Sequence, residues 1–112
     1  MEEKTALSAL AALAQQTRLH AFRLLVRTGP KGLIAGAIAE ELGTPAATLS
    51  FHLKELVHAG LVISAREGRA MRYAVHVEGV RELLGFLTED CCQGRPELCV
   101  GDLDCQTAEC GV

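Results

Sequence analysis

Residues 43–62 read Gly43-Thr44-Pro45-Ala46-Ala47-Thr48-Leu49-Ser50-Phe51-His52-Leu53-Lys54-Glu55-Leu56-Val57-His58-Ala59-Gly60-Leu61-Val62. The opening triplet is a helix-ending glycine, a hydroxyl residue able to cap new amide groups, and a proline suited to a first helical position. It predicts a helix that carries Leu49, Leu53 and Leu56 inward and ends near Ala59-Gly60. At about 100° per residue, Leu49, Leu53, Leu56 and Val57 share one narrow arc. Ala47, Ser50, Phe51 and Lys54 lie opposite, and His52 falls on the border.

Upstream, a helix is expected from about Leu33 to Leu42, with Ile34, Ile38 and Leu42 four apart along one face. Two helices joined by so short a turn form a helix-turn-helix unit. Earlier still, Leu7, Leu10, Ala11 and Ala14 mark one amphipathic helix, and Leu19, Phe22, Leu25 and Val26 mark a second that must stop at Gly29-Pro30. After Gly60 the period becomes alternating, with Leu61, Ile63 and Ala65 on one side, then Met71, Tyr73 and Val75 after Glu67-Gly68. This predicts a two-stranded β-hairpin. Val80, Leu83, Leu84 and Leu87 then restore helical spacing up to Asp90. From Gly94 onward the chain is acidic, lacks a sustained apolar period, and is expected to be irregular.

The chain has 112 residues, 49% of them hydrophobic, which suits one domain with an ordinary core. Its net charge of −3 argues against a nucleic-acid binder unless positive charge is gathered on one face. Residues 1–88 carry 10 Lys+Arg against 8 Asp+Glu, whereas residues 89–112 carry 1 against 6, so the acid is concentrated at the end. Met-Glu-Glu-Lys is not the start of a signal peptide, and no apolar run reaches membrane-spanning length, so a cytoplasmic protein without membrane contact is expected. Cys91, Cys92, Cys99, Cys105 and Cys110 all fall in the last 22 residues. In a reducing compartment an odd set of thiols points to metal binding or redox sensing rather than a disulfide framework. With no Cys-x-x-Cys, glycine-rich phosphate loop or nucleophile elbow, an enzyme is not expected.

A helix entering the major groove needs small or polar side chains on its outward face, and Ala47, Thr48, Ser50 and Lys54 fit. Arg66, Arg69 and Arg72 flank the hairpin tip, where they would reach phosphates or a minor groove. The same pattern also suits an amphipathic helix with a solvated face and a charged hairpin edge that blocks strand pairing. Arg18 and Arg23 read as surface charges.

Thr17-Arg18-Leu19, then Thr48-Leu49-Ser50-Phe51-His52-Leu53-Lys54-Glu55-Leu56 and Ala59-Gly60-Leu61-Val62, resembles the ArsR/SmtB family of metal-sensing repressors over roughly residues 5–92. The resemblance implies that the helix from Pro45 reads an operator, with Thr48, Ser50 and His52 at contact positions. No cysteine pair lies on the third helix, and His76 stands alone before Glu78, so sensory sites of those kinds are not matched. Thr88 to Cys99 instead resembles the arsenite-responsive subgroup, whose three thiolates follow the last helix. By that resemblance Cys91, Cys92 and Cys99 are the ligands.

Arsenic(III) and antimony(III) are soft centres satisfied by three sulfurs in a pyramid. Cys91 and Cys92 diverge by about 100° on a helix, so both reach one ion only if the helix ends there; Gly94 and Pro96 favour that ending. Cys91 would alternatively extend the apolar stripe as a buried thiol. Cys105 and Cys110 have no partner at a recognised ligand spacing.

These readings combine into an α+β fold, mostly helical, a winged helix-turn-helix with a two-stranded wing. Residues 1–92 form the DNA-binding and dimerisation domain and residues 93–112 a cysteine-bearing acidic tail. Leu7, Leu10, Val80, Leu83 and Leu87 supply more apolar surface than one small core needs, so a homodimer is expected through the terminal helices. The expected function is repression by binding operator DNA, with no cofactor needed for that binding and with the metalloid as inducer. A thiol-redox-sensing repressor, and a soft-metal-binding interaction protein without DNA binding, remain open at this point.

Overall fold

Three leucines organise the observed architecture. Leu49, Leu53 and Leu56 are buried on α4 (Ala46–His58) and form the centre of the core with Leu25, Ile38, Leu61 and Val62. Full burial of a leucine is worth about 1.5–3 kcal/mol, so this spine sets how α4 is rotated about its own axis. The computed structural model describes residues 1–89. Around the spine lie α1 (Glu3–Leu13), α2 (Gln16–Thr28), α3 (Ala35–Leu42) and α5 (Val77–Thr88). A three-stranded antiparallel sheet, in order β1-β3-β2, completes the fold with β1 (Leu33–Ile34), β2 (Val62–Glu67) and β3 (Ala70–Val75). The winged helix-turn-helix expected from the sequence is present.

Several local details differ from the sequence reading. Leu33 and Ile34 belong to a strand, pairing with Tyr73 and Arg72, so α3 starts at Ala35 and the hairpin gains a third strand. A two-residue strand has no period for a sequence to display. Gly32 makes the pairing possible: at φ 68° it takes a left-handed conformation, and a side chain there would collide with the Tyr73 carbonyl.

The turn between α3 and α4 forms at the expected place by a different device. Gly43, at φ 65°, lets its own N–H and that of Thr44 satisfy the Glu40 and Ala39 carbonyls. The Thr44 hydroxyl then donates back to the Leu42 carbonyl at 3.5 Å instead of capping α4, and Pro45 occupies the N-cap rather than the first helical position.

The predicted hairpin faces also need correction. Val62, Ser64 and Arg66 stand opposite Val75, Tyr73 and Met71, whereas Ile63 and Ala65 share the other face with Ala74 and Arg72. Ile63 is half exposed. Leu61 is buried, but it precedes β2 and so does not set the strand's alternation.

At the ends of the described chain, alanines rather than leucines face inward on α1. Ala6, Ala9 and Ala12 are buried, while Leu7 is 58% exposed and Leu10 38%. Small side chains let α1 pack against α2, α4 and α5 together. On α5, Leu83 belongs to the core rather than to the apolar surplus, Val80 is partly buried, and Val77, Leu84 and Leu87 are exposed. No described helix is long and apolar enough to cross a membrane.

The start of α5 lies directly on the end of α4. The His76 N–H donates to the Leu61 carbonyl at 2.9 Å, its ring Nδ1 lies 3.0 Å from the Gly60 carbonyl, and Gly79 passes so close to Gly60 that a Cβ would collide with that same oxygen. Gly79→Ala should therefore cost about 1–3 kcal/mol in denaturant unfolding. Gly85→Ala, on the same helix with open space around it, should hold or raise stability by about 0.5–1 kcal/mol.

Candidate nucleic-acid interface

Burying the leucine spine leaves Ala47, Thr48, Ser50, Phe51 and Lys54 exposed along one face of α4. Because Pro45 offers no side-chain acceptor, the first-turn amides of α4 carry no side-chain cap. An exposed helix N-terminus with uncapped N–H groups and small neighbours is suited to close approach by an anionic backbone. Thr48 and Ser50 therefore stand on an accessible polar face, as the sequence predicts, with Lys54 one turn beyond.

His52 is held differently. It is half-buried at the border of that face, and its Nδ1 accepts a hydrogen bond from Arg18 Nε at 3.1 Å. The Arg18 guanidinium lies 5.7 Å from the centroid of the Phe51 ring, and the Phe51 and His52 rings meet edge-on at 5.5 Å and 62°. Arg18, read from sequence as a surface charge, is thus joined to the face of α4 from the neighbouring helix. A contact across 34 residues leaves no periodic trace; the one hint is the border position of His52 on the wheel. A cleft of about 240 Å³ beside Arg18 is lined by Ser8, Ala11, Ala12, Glu55, His58 and Ala59.

The three wing arginines do not form one set. Arg66 and Arg69 are exposed at the hairpin tip, where the two-residue loop Gly68-Arg69 joins Glu67 to its partner Ala70. Among the described residues neither they nor Lys54 enter an ion pair; those present are Arg72–Glu67 and Arg81–Glu78. Arg72 donates from Nε to Glu67 Oε2 at 2.7 Å and from its terminal nitrogen to the carbonyls of Lys31, at 3.2 Å, and Gly32, at 3.4 Å. The hydrogen bond to Glu67, and then the Glu67 charge, holds the guanidinium above its ordinary range. Arg72 thereby clasps the wing to the turn before β1.

Cys91, Cys92 and Cys99, like Cys105, Cys110 and the proposed tail 93–112, lie outside the described residues. Among the described residues no three His, Cys, Asp or Glu side chains cluster in a metal-holding arrangement.

A helix-turn-helix carrying a basic-tipped antiparallel wing defines a winged-helix protein of the DNA-binding class. A family model described as a helix-turn-helix domain matches residues 13–65. Among solved structures, a homodimeric winged helix-turn-helix DNA-binding domain from Mycobacterium bovis, described as a possible ArsR-family transcriptional regulator, is 30% identical. The match covers 75% of each chain at a TM-score of 0.63. An ArsR-like transcriptional regulator from Rhodococcus sp. RHA1 is 27% identical over 75% of this chain and 76% of that one, with a TM-score of 0.65. HlyU from Vibrio cholerae N16961 is 29% identical over 78% and 97%, with a TM-score of 0.60. No functionally curated relative matches the chain. The chain belongs to the ArsR family of winged helix-turn-helix transcriptional regulators.

The division among the wing arginines has a measurable consequence. Arg72→Ala should lower the midpoint of thermal unfolding and speed amide exchange in β1, because it releases the Lys31 and Gly32 carbonyls and Glu67 together. Arg66→Ala and Arg69→Ala should leave both unchanged.

Proposed function

We propose that this chain is a homodimeric repressor that binds operator DNA and is released when arsenic(III) or antimony(III) is bound by the thiolates of Cys91, Cys92 and Cys99. The observation that carries the DNA-binding half is the exposed, uncapped N-terminal face of α4, in a fold whose wing tip presents Arg66 and Arg69 to solvent. In this reading Thr48, Ser50 and His52 meet base edges, and Lys54, Arg66 and Arg69 meet phosphates. Arg72 contributes by holding the wing in place.

Exposed Leu7 and Leu10 on α1, with Val77, Leu84 and Leu87 on α5, supply the apolar surface that a second copy would cover. The Mycobacterium bovis domain is described as homodimeric, which supports the same assembly here. Two recognition helices then meet half-sites about 34 Å apart. No cofactor takes part in DNA binding.

The inducer half rests on the sequence: three thiolates within nine residues, immediately after the helix that would help form the dimer. Soft thiolates favour soft thiophilic centres over oxygen-seeking ions. A coupling of about 1–3 kcal/mol would lower operator affinity roughly 5- to 150-fold, enough for a switch. A second reading replaces the metalloid by thiol oxidation, with Cys91 or Cys92 bridging to Cys99. It draws support from a similar structure described as reduced HlyU from Vibrio cholerae, 28% identical.

The two are separated by titrating arsenite, with a phosphine reductant present, into the protein bound to DNA from its own promoter. Release under reduction supports the metalloid. Release by oxidant alone, reversed by reductant, supports the redox sensor. Absence of saturable, sequence-selective binding would leave a thiophile-binding interaction module.

Ser50→Ala should reduce discrimination between operator and random DNA, whereas Arg69→Ala should weaken both and flatten the salt dependence by about one contact. Unchanged affinity in both variants would remove the DNA-reading assignment. Cys91→Ser, Cys92→Ser and Cys99→Ser each exchange a soft ligand for a hard one at nearly constant volume. Each should still bind operator and fail to release it with arsenite, giving constitutive repression. Truncation after Val100 should leave the response intact; loss of response would make Cys105 or Cys110 a ligand.

A further inference from the structure

Arg18 and His52 meet across the boundary between α2 and α4 through one hydrogen bond, from guanidinium Nε–H to imidazole Nδ1, at 3.1 Å. A guanidinium has donors and no acceptor, so Nδ1 must present its lone pair. The pairing therefore selects the neutral Nε2–H tautomer, because the hydrogen bond at one ring nitrogen decides which carries the proton. His76 illustrates the opposite choice: its Nδ1 faces the Gly60 carbonyl, which only accepts, so there Nδ1 carries the hydrogen.

Phe51 restrains the arrangement on two sides. Its ring faces the Arg18 guanidinium within cation–π range and contacts the His52 ring edge-on. Nε2 of His52 has no hydrogen-bond partner among the described residues, and it is not sealed from solvent, since no buried side-chain nitrogen or oxygen there is left unpaired. The ring's one polar hydrogen is thus unpaired and not fully buried, on a half-buried residue at the margin of the face bearing Thr48, Ser50 and Lys54.

We propose that Arg18 is a positioning residue for sequence reading: by occupying Nδ1 of His52 it makes position 52 a hydrogen-bond donor, selective for an acceptor edge such as guanine N7 or O6. In the major groove a single fixed donor distinguishes these atoms from the amino groups of cytosine and adenine, with which a ring free to change tautomer can also pair. Arg18 acts through His52 and touches no base. The inference rests on the DNA-binding reading above.

Two measurements test it on the full chain. Nitrogen NMR of the imidazoles, without DNA and at mildly alkaline pH, should find His52 wholly as the Nε2–H tautomer, and Arg18→Met, which keeps the aliphatic stem, should admit the Nδ1–H form that an unconstrained neutral imidazole populates as its minor tautomer. A populated Nδ1–H form in the parent, or an unchanged tautomer ratio in Arg18→Met, overturns the proposal.

Binding is then compared between a promoter fragment and random DNA of equal length for Arg18→Met, His52→Ala and the double variant. Each single change should lower the ratio of affinities about fivefold to tenfold, and the double variant no further, since both remove the same donor. Additive losses overturn the proposal, as does an Arg18→Met loss that is equal on both DNAs with a flatter salt dependence, which marks a phosphate contact. A parent protein that does not prefer its promoter fragment sinks the DNA-binding reading itself, and is distinguishable from these because it shows before any variant is made.

Discussion

The burial of Leu49, Leu53 and Leu56 at four- and three-residue spacing governs which way every other side chain of α4 points. Their removal from water fixes the helix against α2, α3 and β2, and a helix locked by three buried leucines has no rotational freedom left. Ser50 and Lys54 are exposed for the same reason that Leu49 and Leu53 are not. Turning α4 by one residue would bury a hydroxyl or an ammonium without a partner and expose a leucine, so the polar face is a consequence of the core rather than an independent feature.

The wing depends on a second constraint, the close approach of Gly32 to the Tyr73 carbonyl. That approach brings Leu33 into register with Tyr73 and makes the hairpin part of a three-stranded sheet. Arg72 reinforces it, since one guanidinium joins β3, the end of β2 and the turn before β1. A two-stranded hairpin alone is marginally stable, so these contacts anchor the tip that carries Arg66 and Arg69. The wing's cations therefore divide by position: the one nearest the third strand is consumed in structure, and those at the tip remain outward.

Elements whose signal is local were legible in the sequence. The helix-turn-helix follows from Gly43, Pro45 and the leucine spacing, and the exposed positions of Ala47, Ser50, Phe51 and Lys54 follow from the same wheel. Three features were not legible, each for a physical reason. Strand β1 is too short to show a period. The alternation points to the wrong hairpin face because Leu61, buried just before β2, shares the parity of the exposed Ile63 and Ala65. On α1 the inward face falls to three alanines, which no apolar spacing singles out, because close helix packing rewards small side chains; Leu7 and Leu10 are left outside as part of the apolar surplus. Arg18 belongs to a further kind: its partner is 34 residues away, and no spacing rule connects them. The cysteines stand out in composition, but Cys91, Cys92 and Cys99 fall beyond the described residues, so the ligand set rests on the family resemblance and on thiolate chemistry.

The contacts of α5 bear on how a signal at those cysteines would reach DNA. Its first turn rests on Gly60, the residue that closes α4, through His76 and the glycine at position 79, and α1 packs on both helices. A side chain at Gly79 would hold the two backbones apart, so the closeness is built into the sequence. Packed helices of this kind shift as rigid bodies more readily than they deform. A ligand that reset the far end of α5 would thus act on the placement of α4 as a unit, leaving the face bearing Ser50 and Lys54 intact. In the proposed dimer such a change would alter the distance and angle between two recognition helices, and half-site spacing on DNA tolerates little of either. Release by this route would need no residue of the proposed reading face to move relative to its own helix, which is consistent with a leucine spine that forbids such movement.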